Sequence, residues 1–80
     1  MKNIIKEIRE ENSLSQNELA TISGVGRQTI FDLEKGVRSK INSKVLDTVD
    51  ELGYDRQEVI ENYHYQRQQQ KEEIMQGIKN

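Results

Sequence analysis

The chain has 80 residues, which is enough for one small domain. Its 14 acidic and 12 basic residues give a net charge of −2, and it contains no cysteine. A disulfide scaffold, a cysteine zinc site and a thiol nucleophile are therefore excluded. No apolar run reaches the roughly 18 residues of a membrane span, and no secretion signal is visible, so we expect a cytoplasmic protein.

The first two predicted helices are short. Isoleucines at helical spacing predict a first helix over about residues 3–12. Ser15 and Glu18 have the spacing of a capping box, in which each side chain accepts a hydrogen bond from the backbone N–H of the other residue. A second helix is therefore predicted to begin at Gln16, with Ile22 on its apolar side near its end.

The next two predicted helices end at glycines. A third helix is predicted over about residues 27–35, where Gly36 stops it. A polar, basic loop over residues 37–42 follows it. Ser43 is the predicted N-terminal cap of a fourth helix, and Gly53 ends that helix. No segment has the alternating pattern of a β-strand, so an all-α fold is predicted.

The predicted fifth helix begins at a second capping-box pattern, formed by Asp55 and Glu58. Residues 66–73 contain no apolar side chain, although all of them are good helix formers. Two interpretations stay open: a frayed tail, or a helix that projects from the domain and pairs with a second copy. The heptad positions of such a pair would be Ile60, Tyr63, Arg67, Gln70 and Ile74. Two of these positions are polar, and the pattern is too short for a convincing coiled coil.

The segment from Gln16 to Lys35 is the most informative part of the chain. Ala20 is small on the side of the second helix that must meet the third, where a larger side chain would hold the helices apart. Gly24 lies where the chain must leave the second helix through a positive φ. The predicted shared core consists of Leu19, Val25, Ile30 and Leu33. The outward side of the third helix then carries Arg27, Gln28, Phe31, Asp32 and Lys35.

The side chains on this outward side are of the types that bind bases in the major groove of DNA. Arginine can donate two hydrogen bonds to guanine, and glutamine can pair with adenine, in the major groove. Residues 26–44 also hold five basic residues against two acidic ones, although the whole chain is acidic. A local basic patch is sufficient to contact a polyanion.

Residues 4–53 resemble the λ-repressor-like, Cro/CI-type helix-turn-helix family. The matching positions are Leu14–Gln16, Glu18–Ala20, Gly24–Val25, Thr29–Ile30, Leu33–Gly36 and Leu52–Gly53. The resemblance implies five helices, with the second and third forming the helix-turn-helix and the third lying in the major groove, as this family illustrates. The expected organisation is a DNA-binding domain over residues 1–53, followed by a C-terminal helix and polar tail over 54–80, for which pairing with a second copy is one of the two open interpretations.

The resemblance also implies roles for single residues. The implied base contacts are Arg27, Gln28, Asp32 and Phe31. The implied contacts to the DNA backbone are Gln16, Thr29, Lys35, Arg38, Ser39 and Lys40. Arg9 and Glu34 match the family's partly buried ion pair between the first and third helices. We interpret that pair as structural, because a half-buried charge needs its partner.

Two of the implied base contacts allow other interpretations. Asp32 could accept from cytosine or pair with Lys35, and the second interpretation is preferred because carboxylates near phosphates are unfavourable. Phe31 could meet a thymine methyl or fold back onto the core, and packing is preferred.

The sequence predicts no enzyme, metal site or cofactor. His64 is the only histidine, and a metal would need further ligands. The predicted function is a sequence-specific, double-stranded DNA-binding regulator, a repressor that acts as a homodimer on a near-palindromic operator. The composition suggests a bacterial source or a mobile element such as a phage or plasmid. The alternative is a protein-interaction module, such as an antitoxin-like or anti-repressor protein, that meets its partner through the C-terminal helix.

Overall fold

Five α-helices make up most of residues 3–78, the part of the chain that the computed structural model describes. They are α1 (Ile4–Glu11), α2 (Gln16–Ser23), α3 (Arg27–Lys35), α4 (Ser43–Glu51) and α5 (Arg56–Ile78). No strand occurs in this range, which confirms the all-α prediction. No helix among the described residues is long and apolar enough to cross a membrane.

Side chains cap the starts of α1, α2 and α4, whereas α3 begins at Gly26 without a side-chain cap. The capping box of α2 is complete: the Glu18 N–H donates to the Ser15 hydroxyl, and the Ser15 N–H donates to the Glu18 carboxylate, at 3.0 and 2.8 Å. The bond from the Ser15 backbone lowers the pKa of the Glu18 carboxyl. The prediction that Ser43 caps α4 is wrong, because the Asn42 side chain accepts from the Lys44 N–H at 2.8 Å.

The core is shared by all five helices. Its fully buried members are Ile5, Ile8, Leu19, Ala20, Ile30, Leu33, Val45, Val49, Val59 and Tyr63. Val25 packs against them from the turn between α2 and α3.

One predicted apolar contact of α2 is wrong, because Ile22 is 53% exposed. The buried side of α2 instead runs through Leu19, Ala20 and Ser23, which leaves Ile22 pointing to solvent. The Ser23 hydroxyl donates to the Thr48 hydroxyl of α4 at 2.8 Å. This bond satisfies two buried hydroxyls where the sequence suggested an apolar contact.

Two glycines in left-handed conformations end the helices of the helix-turn-helix. Gly24 follows α2 with a φ of 70°, and the Val25 N–H returns to the Ala20 carbonyl at 3.0 Å. Gly36 follows α3 with a φ of 73°. Only glycine adopts this conformation at low cost, so the chain can reverse at both points without strain.

The last helix is continuous to Ile78, so the frayed-tail interpretation is wrong for the described residues. Its first turns are anchored in the core by Val59 and Tyr63, whereas Ile74, Met75 and Ile78 near its end are exposed. Residues 79 and 80 lie outside the described part of the chain. The division into units 1–53 and 54–80, and dimerisation by the second unit, stay predictions.

Candidate nucleic-acid interface

The first turn of α3 presents an arginine and a glutamine to solvent. Arg27 and Gln28 are exposed and line a shallow hollow together with Phe31. On the opposite side of the helix, Ile30 and Leu33 are completely buried. The core thus holds α3 in one orientation, with Arg27 and Gln28 on its outer surface.

Asp32 lies one turn further along α3 and is engaged on two sides. It accepts from the Gln28 side-chain amide at 2.8 Å and from the Arg38 guanidinium at 3.4 Å. The predicted pairing of Asp32 with Lys35 is wrong. The Lys35 ammonium instead lies 5.4 Å from the centre of the Phe31 ring, the residue four positions before it on the same side of the helix.

Phe31 does not fold into the core, so the preferred packing interpretation is wrong. The residue is 40% exposed, because Ile30 and Leu33 occupy the side of α3 that faces the core. Besides the hollow beside Arg27, the Phe31 ring borders a second one, whose lining residues are Lys6, Gln16, Phe31, Glu34 and Lys35. The ring therefore stands between the start of α3 and the start of α2.

Arg9 and Glu34 form a two-bonded ion pair that joins α1 to α3. The Arg9 Nε and Nη2 atoms donate to the two carboxylate oxygens of Glu34 at 2.7 and 3.1 Å. The side chains are only 14% and 7% exposed, and the hydrogen bond with Glu34 raises the pKa of Arg9. The pair is therefore a shielded cross-link, which fits a structural role better than contact with a ligand.

Glu34 also accepts a hydrogen bond from Gln16, the residue at the start of α2 that is predicted to contact a phosphate. The Gln16 side-chain amide donates to Glu34 Oε1 at 3.2 Å. Sequence reasoning did not find this bond, because residues 16 and 34 lie on different helices. It places the Gln16 amide beside Phe31 and Lys35, at the second hollow.

The remaining predicted backbone contacts are Thr29 in the first turn of α3 and a group at the end of α3 and in the loop after it. Lys35, Arg38, Ser39 and Lys40 are exposed, whereas Thr29 is half-buried. Side chains of α5 hold the backbone of this loop: the Tyr63 hydroxyl donates to the Arg38 carbonyl at 2.7 Å, and Arg67 Nε donates to the Gly36 carbonyl at 2.8 Å.

Sequence reasoning missed these α5 contacts. The available signal was the presence of polar residues at heptad positions 67 and 70, where a second helix would require apolar ones.

The described residues hold no group of three or more histidine, cysteine, aspartate or glutamate side chains that could bind a metal ion. The exposed side chains of this surface include hydrogen-bond donors and cations, namely Arg27, Gln28, Lys35, Arg38 and Lys40. Such groups bind phosphates and base edges.

A family model described as helix-turn-helix matches residues 5–58. The chain is 40% identical over 50 residues to an uncharacterized HTH-type transcriptional regulator of Sinorhizobium fredii, which covers 62% of this chain and 66% of that protein. It is 56% identical over 36 residues to an uncharacterized HTH-type transcriptional regulator of Methanothermobacter thermautotrophicus, covering 45% of this chain and 52% of that protein. The chain thus spans just under two thirds of the first relative and about half of the second. No solved structure matches the chain.

Proposed function

Since the chain belongs to the Cro/CI-type helix-turn-helix family of DNA-binding transcriptional regulators, we propose that it binds one double-stranded DNA sequence as a homodimer and represses transcription. Its operator is then near-palindromic, because a two-fold symmetric dimer places two copies of α3 on related half-sites about one helical turn apart.

The observation that carries this proposal is the exposed first turn of α3. In helix-turn-helix proteins the recognition helix, which is α3 in this chain, contacts base edges through its N-terminal residues. Here those residues are Arg27 and Gln28, whose side chains pair with guanine and adenine in the major groove. The exposed cations Lys35, Arg38 and Lys40 supply contacts to the phosphates on the C-terminal side of α3.

Selection from random duplex DNA tests the proposal, with the parent and an Arg27→Ala/Gln28→Ala variant selected in parallel. We expect the parent to enrich a symmetric motif that the variant loses. On that motif, Arg27→Ala alone should cost about 1–3 kcal/mol, with a smaller loss on random DNA. A parent that enriches nothing at low salt, where attraction to phosphates is strongest, would contradict the proposal and favour the protein-interaction module.

Lys40→Ala provides the contrasting variant for the same titrations. A phosphate contact carries no sequence information, so affinity for the motif and for random DNA should fall alike. Because the dimer carries two copies of Lys40, the slope of log K against log salt should also become shallower by about 1.8, which is about 0.9 for each contact. An unchanged slope would show that Lys40 does not contact a phosphate.

The end of α5 supports the dimer. Ile74 and Ile78 lie one turn apart, Met75 lies beside them, and all three are about half exposed or more. A second copy would remove this apolar surface from water. In sedimentation experiments we expect Ile74→Ser/Ile78→Ser to be monomeric at concentrations where the parent is dimeric. An unchanged sedimentation coefficient would place the dimer interface elsewhere.

A further inference from the structure

The C-terminal end of α3 leaves backbone carbonyls that the helix cannot satisfy, as every helix end does. Two carbonyls at this end accept from α5. The Gly36 carbonyl accepts from Arg67 Nε at 2.8 Å, and the Lys35 carbonyl accepts from the Gln70 amide at 3.4 Å. The Arg67 bond is the shorter of the two, and its donor is charged, which strengthens it.

The same side of α5 also holds the loop further along. Tyr63 is fully buried, and its hydroxyl donates to the Arg38 carbonyl at 2.7 Å. Tyr63, Arg67 and Gln70 are spaced by four and three residues, so they lie on one side of α5. We name them the loop-holding face. Its contacts explain why polar residues occupy these helical positions: they bond a backbone, and no second helix packs on them.

Gly36 lies directly against side chains of α5. A Cβ atom at Gly36 would lie 2.8 Å from the Gln70 side-chain oxygen and 3.7 Å from Arg67 Cγ. By contrast, a Cβ atom at Gly24 would meet nothing within 4 Å. The turn after α3 is thus packed directly against the loop-holding face.

We infer that Arg67 is a positioning residue for DNA binding: it fixes the loop that carries Arg38 and Lys40 without contacting DNA itself. The inference rests on the proposed function. A loop that is ordered on folding loses no further conformational entropy when it meets the phosphates, so the bond at Gly36 strengthens DNA binding from a distance. Arg67 is only half-buried and stands outside the core, so its removal leaves the packing of Tyr63 intact.

The first test compares Arg67→Gln with Lys71→Gln, which removes the same charge one turn along α5 at an exposed position. We expect about a fivefold loss of affinity for the selected motif from Arg67→Gln and less than about twofold from Lys71→Gln. Arg67→Lys, which keeps a charged donor, should recover part of the loss. Equal losses from the two glutamine variants would overturn the inference.

The second test separates positioning from a direct phosphate contact. If Arg67 acts through the loop, Arg67→Gln should lose most of its effect on affinity once Arg38 and Lys40 have been replaced by glutamine. If it contacts a phosphate, the losses should add, and the inference is overturned.

Hydrogen exchange of the free protein supplies a measurement that needs no DNA. Amides of residues 37–40 should exchange faster in Arg67→Gln than in the parent, while the exchange of core amides stays the same. Unchanged exchange in the loop would overturn the inference. A parent that binds no DNA would instead overturn the proposed function, so the two failures are distinguishable.

Discussion

The two connections on either side of α3 are held in different ways. The turn before it is closed by its own backbone, through the left-handed Gly24 and the bond from the Val25 N–H to the Ala20 carbonyl. The loop after it starts with a similar backbone bond, from the Val37 N–H to the Asp32 carbonyl at 3.2 Å, but it is also held by side chains of α5, which lies about 30 residues further along the chain. The angle between α2 and α3 is therefore a local property, whereas the position of the basic loop depends on the tertiary fold.

The largest expected effect is a loss of stability at Glu34, which joins α3 to Arg9 on α1 and to Gln16 on α2. Glu34→Ala should lower the free energy of unfolding by about 2–3 kcal/mol, because it leaves the Arg9 guanidinium shielded from water without its partner. Urea denaturation would measure this loss. The matched control is Asp47→Ala, which removes an exposed carboxylate paired with Arg56 and should change stability little. Equal losses would show that the Arg9–Glu34 pair is no stronger than a surface pair.

A pair of glycine substitutions tests the comparison directly. Gly24 and Gly36 have nearly the same positive φ, so alanine at either position should cost about 1–2 kcal/mol of stability. Only the Gly36 variant also displaces Gln70 from the loop. Titration of folded protein with DNA should therefore show weaker binding for Gly36→Ala than for Gly24→Ala. Equal affinities would mean that the bond from Gln70 to the loop does not influence DNA binding.

The local connection is also the part that the sequence predicts well. The capping box at Ser15, the small Ala20 and the turn at Gly24 are patterns within a few residues, and the bounds of α3 follow from them and from Gly36. Propensity and capping act over this range. The exposure of Ile22 was mispredicted, because it depends on how α2 turns towards α4.

The candidate site is predicted less completely, for the same physical reason. Its exposed residues on α3 follow from helical spacing, as do the contacts Gln28–Asp32 and Phe31–Lys35 between residues four apart, but the partners outside α3 do not. Asp32 pairs with Arg38 because the chain folds back after Gly36. Gln16 meets Glu34 across two helices. Such contacts are fixed by tertiary packing, which the periodicity of one helix does not encode.

Asp32 is the point where the two regions meet, because it bonds Gln28 on α3 and Arg38 in the loop. An ionised carboxylate only accepts hydrogen bonds. The Gln28 amide therefore gives one N–H to Asp32, which leaves its oxygen and its second N–H for DNA. An oxygen and an N–H side by side pair with adenine through two bonds in the major groove.

Asp32→Ala should weaken this preference and give the smallest effect of the three. The released Gln28 amide must then be ordered when DNA binds, and it can turn either its oxygen or its NH₂ group to the base. Discrimination of adenine over cytosine should fall by about 1 kcal/mol, or about fivefold in affinity, at the base pair facing Gln28. Titration of operators carrying each of the four bases there would measure it, with Asp47→Ala as the control for lost charge. An unchanged discrimination would show that the bond between Gln28 and Asp32 opens when DNA binds. The influence of the loop would then be confined to the phosphates.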